Sequence, residues 1–320
     1  MPLRHHLVSK GYQKNFADDR QRLTIIDSHS GDVIERQRPT KRNWVEEGWA
    51  SFTDANGNPN VELEREFSRI EAQVMRRIRE VNVDVCGPQH RGPIINLFAI
   101  HLVRSNSFLA MRQKVHEQSL PSLLEEIAES PELADRFREQ FKRDPLPGEL
   151  LALATASADA TITTKASQVD SIAQQHNRAA EILDKWGLQV VEIDDRLPGF
   201  VISDVPVVHA NLTDMRFGFR DELALGDANL VLAPLTRRTL VCFTARSERH
   251  TVLRTKAKVR SVNAILARAA LAEVACHPDD ELEVSRLIRN PPPIRRPQDV
   301  PTTCLEQPTS AGHSGQHGIV

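Results

Sequence analysis

A long apolar segment near the middle of the chain carries a stripe of polar side chains. Residues 93–116 begin with a proline, which fits the first turn of a helix because no hydrogen bond is lost there. The segment is apolar on almost every side, which predicts a buried helix. At about 100° per residue, four polar residues fall on one stripe of that helix: His101, Arg104, Ser105 and Arg112. Such a stripe could bind a phosphate or a carboxylate and could exchange protons.

Arg104 needs a partner from another part of the chain. Its guanidinium stays protonated at any working pH, and an unpaired charge in a protein core is costly. Few acidic residues lie in comparably apolar surroundings, and Asp204, after the apolar run 200–203, is the best of them. We therefore predict a buried ion pair between Arg104 and Asp204. A second interpretation stays open, in which Asp204 accepts backbone N–H bonds in a turn before Pro206.

Three histidines could add acid–base chemistry. We expect His5 to be a solvated residue near the start of the chain. His6 is either a structural hydrogen-bonding residue or a general acid–base group, and both interpretations stay open. We interpret His101 as a hydrogen-bonded core residue in preference to a ligand, because buried polar groups are normally satisfied.

Composition indicates a soluble globular protein. The chain has 320 residues, of which 40% are hydrophobic, and its formal net charge of -2 gives no global basic field for nucleic acid. Its first residues lack the apolar run of a signal peptide, and we expect no segment that crosses a membrane. The four cysteines are scattered without a C-x-x-C pair, which predicts a reduced, cytoplasmic protein and argues against a zinc site formed by these cysteines.

The order of hydrophobic patterns predicts an α+β fold. Residues 22–27 and 32–37 alternate as the two strands of an N-terminal hairpin. Helical patterns fill the middle of the chain and form a largely helical core. Four later runs predict a small, mostly antiparallel sheet, and a helix follows at 259–275: 188–193, 200–203, 229–233 and 239–244. We predict one α+β domain over residues 1–289 and a disordered Pro/Gly/Ser-rich tail over 290–320.

Several short motifs recur in a fixed order along residues 4–275. The first motif is His6-Leu7-Val8-Ser9, followed by Phe16. The second motif comprises His101, Arg104, Ser105, Asn106 and Arg112. Later motifs are Trp186, then Ile202-Ser203-Asp204-Val205-Pro206, then Pro234-Leu235, and finally Asn263 in a late helix. Each motif is weak alone, but the ordered set is moderately specific.

This set resembles a widespread bacterial family catalogued as domain of unknown function 4238. Members of the family carry a motif similar to His-Tyr-Val-Pro near the start of the chain. On the buried helix they carry a motif similar to Gln-x-x-Arg-Thr-Pro. In this chain Ser9 stands for the first proline, His101 for the glutamine and Asn106 for the second proline, so the resemblance implies a divergent member. The family implies no established activity.

Two functions from different classes fit these residues. The first is a hydrolase, either a nuclease or a phosphodiesterase, with His6 as general acid–base group and Asp204 either orienting it or holding a metal. Substrate-binding groups for the negative charge would be Arg104, Arg112, His101 and Ser203. The second is a non-enzymatic module that binds an anionic ligand or regulates a partner. An anionic small molecule or a nucleic acid is the expected partner in both.

Overall fold

The computed structural model describes residues 4–47, 52–53, 59–60, 62–162, 165–244 and 249–292. Most of the predicted tail, residues 293–320, lies outside the described residues. The division into one domain and a tail therefore stays a prediction.

Helices dominate the first two thirds of the chain. Serine side chains begin several of them, because a hydroxyl can accept a hydrogen bond from an otherwise unpaired N–H of the first turn. Ser9 and Ser130 begin α1 and α5 in this way. Within the described residues the helices are α1 (Lys10–Gln13), α2 (Glu62–Ile78), α3 (Pro88–Arg104), α4 (Asn106–Ala128), α5 (Pro131–Phe141), α6 (Glu149–Ile162), α7 (Lys165–Asp184), α8 (Lys256–Arg268) and α9 (Glu281–Arg289).

The strands lie mainly at the two ends of the chain, as an α+β arrangement requires. The described strands are β1 (Arg4–His6), β2 (Arg22–Asp27), β3 (Val33–Pro39), β4 (Val45–Glu47), β5 (Phe52–Thr53), β6 (Pro59–Asn60), β7 (Gly187–Ile193), β8 (Ile202–Ser203), β9 (Val208–Asn211), β10 (Arg216–Phe217), β11 (Leu230–Pro234), β12 (Thr239–Thr244), β13 (Arg249–Leu253) and β14 (Glu273–Cys276). The predicted α+β class is confirmed.

A six-stranded sheet forms the larger β layer, in the order β10-β9-β11-β12-β7-β13. All its pairings are antiparallel except that of β13 with β7. Every residue of β11 and β12 is buried, which explains why these strands are almost continuously apolar. Three of the four predicted later strands belong to this sheet.

The fourth predicted strand belongs to a different sheet. Only its last two residues form β8, which pairs with β14 in a four-stranded sheet of order β3-β2-β14-β8. The predicted N-terminal hairpin is β2 and β3 of the same sheet, and it is confirmed. The predicted helix over 259–275 was too long, because the chain leaves α8 after Arg268 and returns as β14.

The predicted helix over 93–116 is two helices. Ser105 has φ -72° and ψ 143°, and it separates α3 from α4. Its hydroxyl donates to the carbonyl of Leu102 at 2.9 Å and accepts from the N–H of Phe108 at 3.3 Å. Serine makes such local bonds in competition with the helix ladder, and here they end one helix and begin the next.

The N-terminal residues are part of the core. Val8, Tyr12 and Phe16 are fully buried, and the Tyr12 hydroxyl donates to the carbonyl of Pro234 at the end of β11. These three residues pack in one cluster with α2, α3 and the six-stranded sheet. The family-like segment at the start of the chain is therefore placed directly against α3.

Candidate functional site

Seven polar residues from four elements meet beside α3. We call them the Arg104 cluster: His5, His6, Ser9, Glu64, Glu71, His101 and Arg104. Strand β1 supplies the first two and the N-cap of α1 supplies the serine. Helix α2 supplies the two glutamates, and α3 supplies the last two residues. The cluster thus brings together His6, His101 and Arg104 from the predicted set.

Arg104 is the centre of this cluster and is only 1% exposed. Its Nη1 donates to Oε1 of Glu71 at 2.7 Å, and its Nη2 donates to Oε2 of Glu64 at 3.0 Å. Nη1 also donates to the carbonyl of His6 at 3.2 Å. The guanidinium carbon lies 5.2 Å from the ring centroid of Phe67, in cation–π contact. The predicted burial of Arg104 beside a carboxylate is confirmed.

The prediction that Asp204 is the partner of Arg104 is wrong. The Asp204 carboxylate accepts the backbone N–H groups of Leu271, Ala272 and Glu273, at 2.9, 2.8 and 3.2 Å. Burial raises the pKa of this carboxyl, although the three N–H groups act in the opposite direction. Asp204 therefore ties the end of β8 to the chain that enters β14. These contacts leave no support for Asp204 as the group that orients His6.

Two further predicted residues stand apart from the cluster. The Ser203 hydroxyl donates to the carbonyl of Val205 at 2.8 Å and accepts from the N–H of the same residue. Ser203 thus closes a local turn beside Asp204. The side chain of Arg112 on α4 lies outside the described residues, so its proposed role stays a prediction.

His6 combines partial burial with a positive neighbourhood. Burial lowers the pKa of His6, and the charge of Lys10 lowers it further, while a hydrogen bond with the backbone of Lys41 acts in the opposite direction. Its buried Nε2 atom has no hydrogen-bond partner among the described residues. A buried polar atom in this state is one that a bound water, ion or substrate could satisfy. His6 is therefore mainly neutral near pH 7.

His5 is buried, contrary to the expectation that it is solvated. Its ring is 3% exposed, and its Nδ1 lies 3.4 Å from Oε2 of Glu64. The same carboxylate oxygen therefore faces both His5 and Arg104. The pairing of β1 with β4 fixes the backbone of His5 and His6.

His101 acts as a hydrogen-bond acceptor inside the core. Its Nε2 accepts the backbone N–H of Ser9 at 3.4 Å, and its ring lies 4.9 Å from that of Tyr12. Burial, followed by the charge of Arg104, lowers the pKa of His101 to about 3. A neutral imidazole of this kind orders the N-terminal segment and does not exchange protons at neutral pH.

Glu71 is a second acid–base candidate that was missed. Burial raises the pKa of Glu71, the Arg104 charge opposes that rise, and the Glu64 charge supports it. The Ser9 hydroxyl also hydrogen-bonds this carboxyl group. The Glu/Arg-rich pattern of α2 is typical of a solvated surface, so it does not point to a buried carboxylate. The available signal was spacing, because Glu64, Phe67 and Glu71 share one helical face at i, i+3 and i+7.

Exposed positive charge borders the cluster. Lys10 follows Ser9 on α1, and Lys41 contacts His6 through its backbone. Both lysine side chains are exposed, and among the described residues neither forms an ion pair. We call Lys10 and Lys41 the basic rim. It would attract an anion toward His6.

The described residues contain neither a metal-binding cluster nor a membrane-spanning helix. Among those side chains, no group of three or more His, Cys, Asp or Glu residues could hold a metal ion. None of the described helices combines the length and apolar character that a membrane crossing requires.

A family model described as Protein of unknown function (DUF4238) matches residues 4–280. The chain belongs to this family. The match spans every element of the Arg104 cluster, from β1 to α3, and extends through β14. No curated protein and no solved structure matches the chain. The family is described as one of unknown function, so the assignment does not indicate an activity.

Proposed function

We propose that this protein is a hydrolase that cleaves an anionic substrate, with His6 as the general acid–base group. The observation that carries this proposal is the buried Nε2 of His6, which has no hydrogen-bond partner among the described residues. The lowered pKa of His6 keeps its ring neutral at neutral pH, as a general base requires. Perturbed titration next to charged partners is a frequent property of catalytic sites.

The ion network behind His6 supports the same role by positioning it. Arg104 donates to the carbonyl of His6, and the carboxylates of Glu64 and Glu71 hold the same guanidinium in place. The main chain of the histidine is thereby fixed from a rigid helix. Arg104 acts as a positioning residue in this proposal, because protein carboxylates already accept hydrogen bonds from its Nη1 and Nη2 atoms.

The basic rim supports an anionic substrate, and a phosphodiester is the class that we propose. His6 would accept a proton from water as the water oxygen bonds to phosphorus. The phosphorus–oxygen bond to the leaving group would break, and protonated His6 would return the proton to that oxygen. Lys10 and Lys41 would stabilise the negative charge that grows on the phosphoryl oxygens. A cytoplasmic location, expected from cysteine usage, belongs to this proposal.

The test is the hydrolysis of bis(p-nitrophenyl) phosphate, followed by release of p-nitrophenolate. His6→Gln should lower kcat/KM by about 100-fold or more, as loss of a general base does. The matched control is His29→Gln, because His29 is exposed in the turn between β2 and β3. It should leave the rate unchanged. Absence of turnover by the purified protein, or equal rates for the two variants, would contradict the proposal.

The exposed lysines of the basic rim also favour the second candidate, an anion-binding or regulatory module without chemistry. In that case inorganic phosphate should raise the melting temperature, because a ligand that binds only the folded state stabilises it. Lys10→Gln with Lys41→Gln should remove that shift. Phosphate binding without any hydrolysis of the diester would favour this candidate over the hydrolase.

A further inference from the structure

An apolar cavity lies on the opposite side of α3 from the Arg104 cluster. Its volume is about 280 Å³. At about 100° per residue, Leu102 and Val103 leave α3 roughly opposite to His101 and Arg104. Leu102 and Val103 line the cavity, so it is separated from the candidate active site by the body of the helix.

The cavity wall is mainly aliphatic and aromatic. Phe108 and Phe219 line it as a tilted pair with ring centroids 5.3 Å apart. Ile182 and Leu225 complete much of the apolar lining. An apolar protein cavity of about 150 Å³ is large enough to bind benzene. The present cavity therefore has room for a longer hydrocarbon chain or for a second ring.

Two polar side chains of α7 also line this cavity: Gln175 and Arg178. Arg178 is exposed, and it forms no ion pair with any residue that the structure describes. Gln175 is half-buried one turn earlier on the same helix. Arginine matches a carboxylate through two parallel N–H bonds. An apolar wall with one cation on its lining is complementary to a molecule with one apolar end and one carboxylate end.

Two sets of contacts fix residues 219–225, which contribute to one wall of the cavity. Lys114 on α4 forms an ion pair with Glu222, which lies between Phe219 and Leu225. The ring of His209 on β9 packs edge-on against Phe219 at 4.4 Å, and its Nε2 hydrogen-bonds the carbonyl of Leu223 at 2.9 Å. The cavity wall is thus tied to α4 on one side and to the six-stranded sheet on the other.

We propose that this cavity binds a small amphipathic carboxylate, a medium-chain fatty acid in chemical class. The hydrocarbon chain packs against Phe108 and Phe219, and Arg178 binds the carboxylate. Burial of the chain supplies most of the affinity, because each methylene removed from water stabilises the complex. The arginine selects the charged end group. This site is independent of the hydrolase proposal, since no member of the Arg104 cluster lines it.

The experiment is a calorimetric titration of the full-length protein with octanoate and, separately, with 1-octanol. Octanoate should bind more tightly than 1-octanol at pH 7. Arg178→Gln should weaken octanoate binding by about tenfold or more, which corresponds to about 1.4 kcal/mol, and should leave 1-octanol binding unchanged. The matched control is Arg220→Gln, because Arg220 is exposed beside Phe219 but does not line the cavity. It should change neither affinity.

A second variant tests the cavity itself. Ala179 lines the cavity from α7, and Ala179→Leu places a larger side chain there. It should weaken binding of both compounds, while its melting transition stays cooperative. The proposal is overturned if octanoate does not bind at millimolar concentration or binds no better than 1-octanol. Equal losses in Arg178→Gln and Arg220→Gln would overturn it as well.

Discussion

Nη1 of Arg104 lies 2.7 Å from Oε1 of Glu71, and this contact joins α3 to α2. The two paired residues are 33 positions apart in the chain. The guanidinium is 1% exposed and the carboxylate is 15% exposed. Water therefore screens this ion pair much less than it screens the pairs on the outer face of α2. Because Arg104 also holds the carbonyl of His6, one side chain couples α2, α3 and the N-terminal strand.

Loss of Arg104 should destabilise the fold strongly. Arg104→Leu leaves two half-buried carboxylates without their cation, and we expect a loss of about 3–5 kcal/mol in the free energy of unfolding. Adding Glu71→Gln should recover part of that loss, which gives a non-zero coupling energy in urea denaturation. Adding Asp204→Asn should give an additive loss.

The control for this prediction is Arg69→Leu on the outer face of α2. Arg69 pairs with Glu66 in an exposed contact, so its loss should change the unfolding midpoint little. Additive effects of Arg104→Leu and Glu71→Gln would contradict the assigned pairing.

The titration of His6 should depend on Lys10. Burial and the positive charge of Lys10 both lower the pKa of His6 below its usual 6.5. Lys10→Gln removes that charge, so the pKa should rise toward 6.5. A proton NMR titration of the histidine ring measures this directly and needs no substrate. Lys14→Gln serves as the control on the same segment, and an equal shift in both variants would contradict the assignment.

The same titration of His6 determines the acidic limb of the pH dependence of kcat/KM. A general base must be unprotonated, so kcat/KM should fall as the pH drops below the lowered pKa of His6. Lys10→Gln should move this limb to higher pH by the shift that NMR measures. A limb that stays in place while the NMR titration moves would show that another group is the base.

His101 should make the protein less stable in acid. Its pKa is about 3 in the folded protein and about 6.5 when exposed, so the unfolded chain binds more protons between these values. Stability from this group is complete above pH 6.5 and is lost as the pH falls toward 3. The slope is at most about 1.4 kcal/mol per pH unit for one histidine.

His101→Gln should flatten that pH dependence, since an amide can still accept the N–H of Ser9 but does not titrate. Urea denaturation at several pH values between 4 and 7 provides the comparison. His209 is buried with a pKa lowered to about 4, so it supplies a second slope that His101→Gln leaves in place. An unchanged profile in His101→Gln would contradict the prediction.

Asp204 should matter for stability and not for turnover. Asp204→Ala leaves three backbone N–H groups before β14 without their acceptor, which should cost about 1–3 kcal/mol. The kcat/KM of the remaining folded protein should equal that of the wild type. Asp195→Ala is the control, because that carboxylate is exposed. Loss of activity with unchanged stability would restore Asp204 as a catalytic residue.

Local patterns were sufficient for several features of this protein. Alternation over β2 and β3 predicted the hairpin, because successive strand residues face opposite sides of a sheet. The apolar surroundings of Arg104 predicted that it is buried with a carboxylate. The position of His101 one turn earlier placed it beside Arg104. All these features depend on neighbours within a few residues, where chain geometry leaves few alternatives.

Long-range pairing was decided only by the tertiary structure. The partners of Arg104 lie 33 and 40 residues away on a helix whose charged pattern is typical of a solvated face. Asp204 has the sequence context of a buried partner but meets a backbone segment 67 to 69 residues away. Periodicity determines which face of an element is buried, but it does not determine which other element covers that face. That choice depends on how all the elements pack together, and it placed His6 against Arg104 and left Asp204 at the edge of the other sheet.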